Sequence, residues 1–319
     1  MKYRILGRTG LKVSEIGLGT WAFNSLVYGR VGKDDALNTI RTAKDQGINF
    51  FDTAPLYGDN KTDGIAETLL GDGLKDCRQE MIISSKFGRK PTDGNRANFC
   101  AKYARLSVEE SLKRLGTDYL DIFFFHSPFS VNEIQDDVWE ELDRLKTAGS
   151  IRFVGHSISM FDETEGMARE WAQEGKIDVI QVVYSLLFRQ STDLICDLGE
   201  KNIGIVARES LANGFLSGKI SEDTVFPSGT LNARYTREEI ISRVQRVREL
   251  SFLVRHPVES MPQAALRWVL DNPNISSTLT GAKTSVEVLD CVKASEITEF
   301  TDDEHNKAKL NHLFDFNPA

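Results

Sequence analysis

Short apolar runs alternate with longer amphipathic stretches along the chain. The short runs fall at 16–19, 49–52, 81–86, 120–126, 153–157, 179–184, 203–208 and 277–280. Most are nearly continuous in apolar or β-branched residues, the pattern of strands buried on both faces. Between them, 34–46, 102–115, 139–148 and 161–174 carry helical patterning. These four stretches stop at Gly47, Gly116, Gly149 and Gly175, glycine being the usual residue just past a last helical turn. A shorter helix is predicted over 193–201, and two more, over 237–253 and 262–270, fill the long segment before the eighth strand. Strand followed by helix, eight times, predicts a parallel sheet with crossover helices.

Eight such units in 319 residues fit an α/β fold of the (β/α)8 TIM-barrel type. A doubly wound open sheet is the rival, but it would carry a GxGxxG fingerprint after its first strand. The run GLGT at 17–20 has no third glycine and no long helix directly behind it. Residues 1–15 read as an N-terminal β-hairpin around 7–10 that plugs the barrel bottom. Residues 302–319 read as a C-terminal extra helix and tail. No linker or low-complexity stretch interrupts the chain, so 1–319 is expected to form a single domain.

The net charge is −8, from 39 Lys and Arg against 47 Asp and Glu. No basic stripe offsets it, which speaks against a nucleic-acid surface. Cys77, Cys100, Cys196 and Cys291 are scattered, with no CxxC pair. Neither a metal site nor a disulfide framework is indicated, and reduced thiols in a cytoplasm are expected. The opening MKYRILGRTG lacks the apolar core and cleavage site of a signal peptide. No run of 18 apolar residues offers a membrane-spanning helix.

In a barrel of this type, chemistry sits where strands end and the loops to the helices begin. The predicted strands end in Asp52, Lys86, His126, Ser157 and Arg208, with Gln181 in the sixth and Tyr57 in the loop after Asp52. Singly, each has a bland reading: a cap, a solvated lysine, a loop histidine, a turn aromatic. Together they describe a tuned general acid beside an oxyanion site. A lysine ammonium stabilises the tyrosinate and is expected to lower the Tyr57 pKa. Asp52 keeps that ammonium charged, and a neutral His126 can hydrogen-bond a substrate oxygen. Such a set suits proton delivery to a carbonyl oxygen while hydride reaches its carbon. No side chain supplies hydride, so a nicotinamide must. His156, one residue before Ser157, should alternate away from this pocket and be structural.

The blocks GLGTW (17–21), GINFFDTAPLYG (47–58), ISSKFG (83–88), LGTDYLDIFFFHSP (115–128), GSIRFVGHS (149–157) and QVVYSLLFR (181–189) resemble the signature blocks of the aldo-keto reductase superfamily. The resemblance runs from Arg4 to about Ala294. It implies the barrel fold, a nicotinamide cofactor, and Tyr57 as acid/base tuned by Asp52 and Lys86, with His126 orienting the carbonyl. Thr20 and Trp21 match the loop that touches nicotinamide and substrate, and Asp52 also borders the cofactor. Trp21, Tyr57 and His126 are thereby the implied substrate contacts. Ser157 and Gln181 match residues that hold the carboxamide, although Ile158 stands where the family usually has Asn. Arg208 falls where the family stacks an aromatic on the nicotinamide; a guanidinium plane can stack likewise, unless Glu209 and its neighbours occupy it otherwise.

The run SLANGFLSGK (210–219) resembles the loop that closes over the cofactor's pyrophosphate. It implicates Ser210, Leu211, Gly214, Leu216, Gly218 and Lys219. The run GAKTSVEVLDC (281–291) resembles the adenosine-phosphate segment, implicating Gly281, Lys283, Glu287, Asp290 and Cys291. Backbone N–H groups at a helix start suit a phosphate. Lys283 sits where relatives bind phosphate. Glu287 sits where NADP-specific relatives place an Arg, and a carboxylate there follows NAD logic. The balance tips slightly to NADP(H), with NAD(H) open.

The resemblance extends to the branch of sugar 1-dehydrogenases, for which Trp21, Tyr28 and Arg30 would suit a sugar. An aldehyde or sugar is therefore the expected small-molecule substrate. The alternative from another class is a nicotinamide-binding sensor, as in the potassium-channel β-subunit branch, though no docking extension precedes the barrel in this sequence. A phosphate-binding isomerase or aldolase barrel is a third idea. Asp52 beside Lys86 argues against Schiff-base chemistry there by keeping the amine charged. The loops at 22–33, 127–137 and 220–236 carry no readable specificity pattern, and oligomerisation is not predictable.

Overall fold

The structure, a computed structural model, describes residues 1–25, 29, 31–159 and 161–311. Two short strands, β1 (Tyr3–Ile5) and β2 (Lys12–Ser14), pair antiparallel. Eight parallel strands then close a barrel in chain order. They are β3 (Ile16–Gly19), β4 (Phe50–Asp52), β5 (Ile82–Phe87), β6 (Leu120–His126), β7 (Ile151–Ser157), β8 (Val179–Val183), β9 (Gly204–Arg208) and β10 (Ser277–Thr280). Closure comes from β10 pairing with β3, where Leu279 stands opposite Gly17.

Helices cover the outside: α1 (Lys33–Asp45), α2 (Ile65–Leu74), α3 (Ala101–Leu115), α4 (Asp137–Thr147), α5 (Phe161–Gln173), α6 (Thr192–Glu200), α7 (Arg237–Glu249), α8 (Met261–Leu270) and α9 (Ser285–Val292). A further helix, α10 (Asp302–Lys309), follows the barrel and starts in a capping box of Thr301 and Glu304. The expected (β/α)8 barrel, hairpin and extra helix are all present.

The continuous apolar strands serve two cores at once. In β6, Phe123 and Phe125 join the large core under the helices, while Ile122 and Phe124 fill the barrel interior. That is the two-residue period of a strand. Phe124 fits inside because Gly155 stands opposite it in the register; a Cβ there would lie 2.3 Å from the Phe124 ring. The hairpin closes the barrel bottom, with Leu6, Leu11 and Val13 completing the interior cluster.

One helix departs from the expected pattern. The segment IAETLLGDGL forms α2, although its two glycines depress helix propensity by roughly 1 kcal/mol each. The glycines are there for packing. A Cβ on Gly71 would lie 2.7 Å from the Leu115 carbonyl oxygen, and one on Gly73 would lie 2.7 Å from Ile40. Close approach to α3 and α1 requires both positions bare. Helix α7 is shorter than its pattern, giving way after Glu249 to a 3-10 turn over Leu250–Leu253.

Candidate active site

Strand parity selects the side chains at the barrel mouth. Phe50, Ile82, Ile122, Phe124, Val179 and Val206 point inward. Two-residue steps along the same inner rows reach Asp52, Ser84 and Lys86, His126, Gln181 and Arg208. His156 has the opposite parity. It lies buried on the outer face of β7 against Trp171, with ring centroids 4.9 Å apart, as expected of a structural residue.

Lys86 is fully buried and its ammonium grips both Asp52 oxygens, at 2.8 Å (Oδ1) and 2.7 Å (Oδ2). It also donates to the Thr53 carbonyl at 3.0 Å. Asp52 Oδ1 accepts further bonds from Ser84 Oγ (2.8 Å) and Gln181 Nε2 (2.8 Å). Gln181 Oε1 in turn accepts from Ser157 Oγ at 3.3 Å. The carboxylate is thus saturated, the condition under which a buried ion pair is tolerated.

Tyr57 lies over this pair. Its ring centroid is 4.8 Å from Lys86 Nζ, 4.9 Å from the Trp21 ring and 5.7 Å from the His126 ring, both edge-on. Four elements, β4 with its loop, β5, β6 and the loop after β3, therefore converge on one point.

The electrostatics differ from the sequence expectation in one respect. Burial raises the Tyr57 hydroxyl above its ordinary value and outweighs the opposing pull of Lys86, while Asp52 adds to the rise. The expected lowering is not what this environment produces; desolvation of a phenolate at the cleft floor is the larger effect. Burial also works against the charge on Lys86, but Asp52 and Tyr57 together hold its amine above the usual lysine value. His126 is driven well below the usual histidine range by burial, then by Lys86, Arg89 and Arg208. It is a neutral imidazole at neutral pH, and its buried Nδ1 meets no partner among the described residues.

These groups floor a cleft of about 970 Å³ that runs from Trp21, Tyr57 and His126 past the loop after β9 to the start of α9. Trp21, Ser157, Gln181, Arg208, Ser210, Leu211, Gly214 and Lys219 line it, as do Gly281, Lys283, Glu287, Asp290 and Cys291. Thr20, Leu216 and Gly218 lie outside its wall. Thr20 is buried with its hydroxyl on the Asp52 carbonyl at 3.1 Å, Leu216 is packed in the core, and Gly218 ends a 3-10 turn in the left-handed region. Tyr28 and Arg30 fall outside the described residues.

At the far end, Glu287 is held by Lys219 Nζ and by the backbone N–H of Lys283 (2.7 Å). Asp290 accepts from Ser260 Oγ (3.0 and 2.8 Å) and Gln263 Nε2 (2.6 Å). The Cys291 thiol is buried, accepts from Thr280 Oγ1 at 3.1 Å, and is pushed up to about 12 by burial. No group of three or more potential metal ligands exists among the described residues, and none of their helices is long and apolar enough to cross a membrane.

Two residues on the cleft wall escape motif reading. Glu209 pairs with Arg208, whose guanidinium also donates to the Ile158 carbonyl (3.0 Å) and Ser159 Oγ (3.0 Å). Asn213 is buried with both side-chain polar atoms unpartnered. Only the three-dimensional burial of these groups marks them; their residue types alone carry no signal.

Residues 15–309 match the model of the aldo/keto reductase family. The chain belongs to this family. It is an oxidoreductase, and aldo/keto reductases act on carbonyl compounds with nicotinamide cofactors. The NADH-specific methylglyoxal reductase of Escherichia coli is 32% identical to it, over 93% of this chain and 94% of that protein. L-galactose dehydrogenase of Arabidopsis thaliana is 37% identical over 68% of this chain and 67% of that protein. An aldo-keto reductase from Bacillus halodurans in its holo form superposes with a TM-score of 0.77 at 25% identity, covering 98% of this chain and 96% of that one.

Proposed function

We propose that this aldo/keto reductase reduces the carbonyl of a small aldehyde or sugar, or runs the reverse oxidation, with Tyr57 as the general acid/base. One observation carries the reading: Tyr57 faces a buried Lys86–Asp52 pair on one side and a neutral His126 on the other. A phenol held above its ordinary pKa is protonated at neutral pH and competent to donate. As its proton moves to the carbonyl oxygen, the phenolate that forms lies beside the Lys86 ammonium. Asp52 keeps that ammonium charged and fixed. The neutral His126 ring retains one N–H to hydrogen-bond the same oxygen. In oxidation the roles reverse, and Tyr57 takes a proton from an alcohol.

The cleft suits a dinucleotide. Tyr57 and His126 share its wall with the Lys219 and Lys283 cations. A nicotinamide bound there supplies the hydride chemistry. Ser157 and Gln181 would hold the carboxamide, since each Gln181 group keeps a spare donor or acceptor site beyond its present bond. Arg208 would flank the ring. The segment 210–219, Gly281 and the start of α9 would take the phosphates. Lys283 speaks for NADP(H), narrowly favoured; Glu287, paired with Lys219, keeps NAD(H) open. Trp21 would contact substrate.

The names of the two relatives, a methylglyoxal reductase and a galactose dehydrogenase, support aldehydes and sugars as the substrate classes to try. The test follows nicotinamide absorbance with both cofactors, in both directions, over a panel of aldehydes, ketones and free sugars. Turnover that tracks one panel class supports the enzyme reading. Tight cofactor binding without turnover on any of them would favour a sensor.

A further inference from the structure

The two oxygens of Asp52 are unequally furnished. Oδ1 carries three donors at 2.8 Å, from Lys86 Nζ, Ser84 Oγ and Gln181 Nε2. Oδ2 carries Lys86 Nζ at 2.7 Å and no second donor among the described residues. The extra donor from β5 follows from strand register. Ser84 stands opposite Asp52 in the β4–β5 pairing, on the inner row that runs Ile82, Ser84, Lys86. Ile82 belongs to the apolar barrel interior, so Ser84 is the first polar side chain of that row. It is fully buried. A buried hydroxyl is costly unless it is bonded, and this one is bonded to a carboxylate, the stronger kind of acceptor.

Lys86 has the complementary shortage. An ammonium carries three N–H bonds. Asp52 Oδ1, Asp52 Oδ2 and the Thr53 carbonyl (3.0 Å) are three acceptors for them. The same amine also interacts with the Tyr57 hydroxyl, and a tyrosinate accepts more strongly than a phenol. When the Tyr57 proton leaves, an N–H can commit to the new anion only by giving up one of those three acceptors. Oδ1 is the one that can be released, because Ser84 and Gln181 still satisfy it. Releasing Oδ2 or the Thr53 carbonyl would take this donor from a buried acceptor with less support.

We propose that Ser84 is a positioning residue of the acid/base machinery: its hydroxyl keeps Asp52 Oδ1 bonded while a Lys86 N–H turns from that oxygen to the Tyr57 oxygen. No proton leaves Lys86 or Ser84. The one proton that moves passes from Tyr57 to the carbonyl oxygen, and returns in oxidation. The proposal rests on Tyr57 as the acid/base. Gln181 donates to the same oxygen but lines the cleft, where a ligand can compete for it. Ser84 lies behind the cleft wall, so its bond persists whatever the cleft holds.

Ser84→Ala removes the hydroxyl, and Ser84→Thr keeps it on a side chain that suits a strand. Tyr57 is faced by Asp52 from β4, Lys86 from β5, His126 from β6 and Arg208 from β9, and neither variant changes any of these charges. Thermal unfolding reports whether each variant is folded. Tyrosinate absorbance, titrated in each protein against the same protein carrying Tyr57→Phe, isolates Tyr57 and needs no substrate. In Ser84→Ala the Tyr57 ionisation should move up by about half to one pH unit, since the phenolate loses support. Ser84→Thr should return it to the wild-type position. Reduction of methylglyoxal with NADH or NADPH should show kcat down about three- to tenfold in Ser84→Ala, tenfold being the equivalent of about one pH unit, with KM and cofactor affinity within about twofold.

A Tyr57 ionisation unmoved in Ser84→Ala, or moved as far in Ser84→Thr, would overturn the assignment. So would a loss of cofactor affinity that matches the loss of kcat. Tyr57→Phe that reduces methylglyoxal at the wild-type rate defeats the acid/base reading beneath the proposal. An inactive Tyr57→Phe beside an unaltered Ser84→Ala defeats the role of Ser84 alone.

Discussion

Replacing His156 with leucine should uncouple part of the protein's stability from pH. The His156 ring is fully buried on the outer face of β7 and neither ring nitrogen has a partner among the described residues. Burial lowers its pKa from 6.5 to about 3. In the unfolded chain the imidazole takes up a proton as pH falls through 6.5; in the folded protein it stays neutral down to about 3. The unfolded state therefore binds more protons throughout this window, and stability drops as pH falls through it. At 1.36 kcal/mol per pH unit, the group removes about 2 kcal/mol by pH ~5 and roughly 5 kcal/mol across the window. Leucine has nearly the same volume and nothing to protonate. Urea unfolding at about pH 7.5 and about pH 5 should show the wild type losing about 2 kcal/mol more than His156→Leu between the two. At the higher pH the variant should be nearly as stable as the wild type, since two unpaired buried nitrogens leave with the ring. Equal losses in the two proteins would refute the reasoning.

Gly71→Ala sets helix propensity against space. Alanine gains about 1 kcal/mol in a helix, but its Cβ would lie 2.7 Å from a backbone oxygen of Leu115. A net loss of about 1–3 kcal/mol is expected from overpacking, readable as a lower urea midpoint. Removing the Glu287 charge with Glu287→Gln should raise affinity for NADPH relative to NADH about three- to tenfold, since a carboxylate beside a 2′-phosphate repels it; fluorescence titration of both cofactors checks this. The pH profile of kcat/KM should depend on direction. Because Tyr57 is held above its ordinary value, carbonyl reduction should stay level through neutral pH and fall only on the alkaline side, whereas alcohol oxidation, which needs the phenolate, should rise with pH.

Apolar runs alternating with helical stretches make the barrel legible in the sequence, and the polar residues that end those runs mark the candidate site. Two-residue steps from apolar inner positions land on Asp52, Lys86, His126 and Gln181, and the structure places those four around one point. The α2 helix was not readable, because Gly71 and Gly73 are chosen for contact with partners more than thirty residues away, and local pattern does not carry that. The direction of the Tyr57 shift escaped for a related reason: a lysine neighbour is implied by motif order, while the depth of burial that outweighs it is a property of the folded cleft. Lys219, Lys283 and Glu287 line the same cleft, and Lys219 is paired with Glu287, a contact that residue order alone does not reveal.

The central claim is that Tyr57 moves the proton. Tyr57→Phe keeps the ring against Trp21 and His126 and removes only the hydroxyl. On any carbonyl substrate that the wild type reduces, turnover followed by nicotinamide absorbance should fall by about 10²–10⁴, with cofactor affinity unchanged within a few-fold. A variant that binds cofactor and still reduces the carbonyl at close to the wild-type rate would contradict the account.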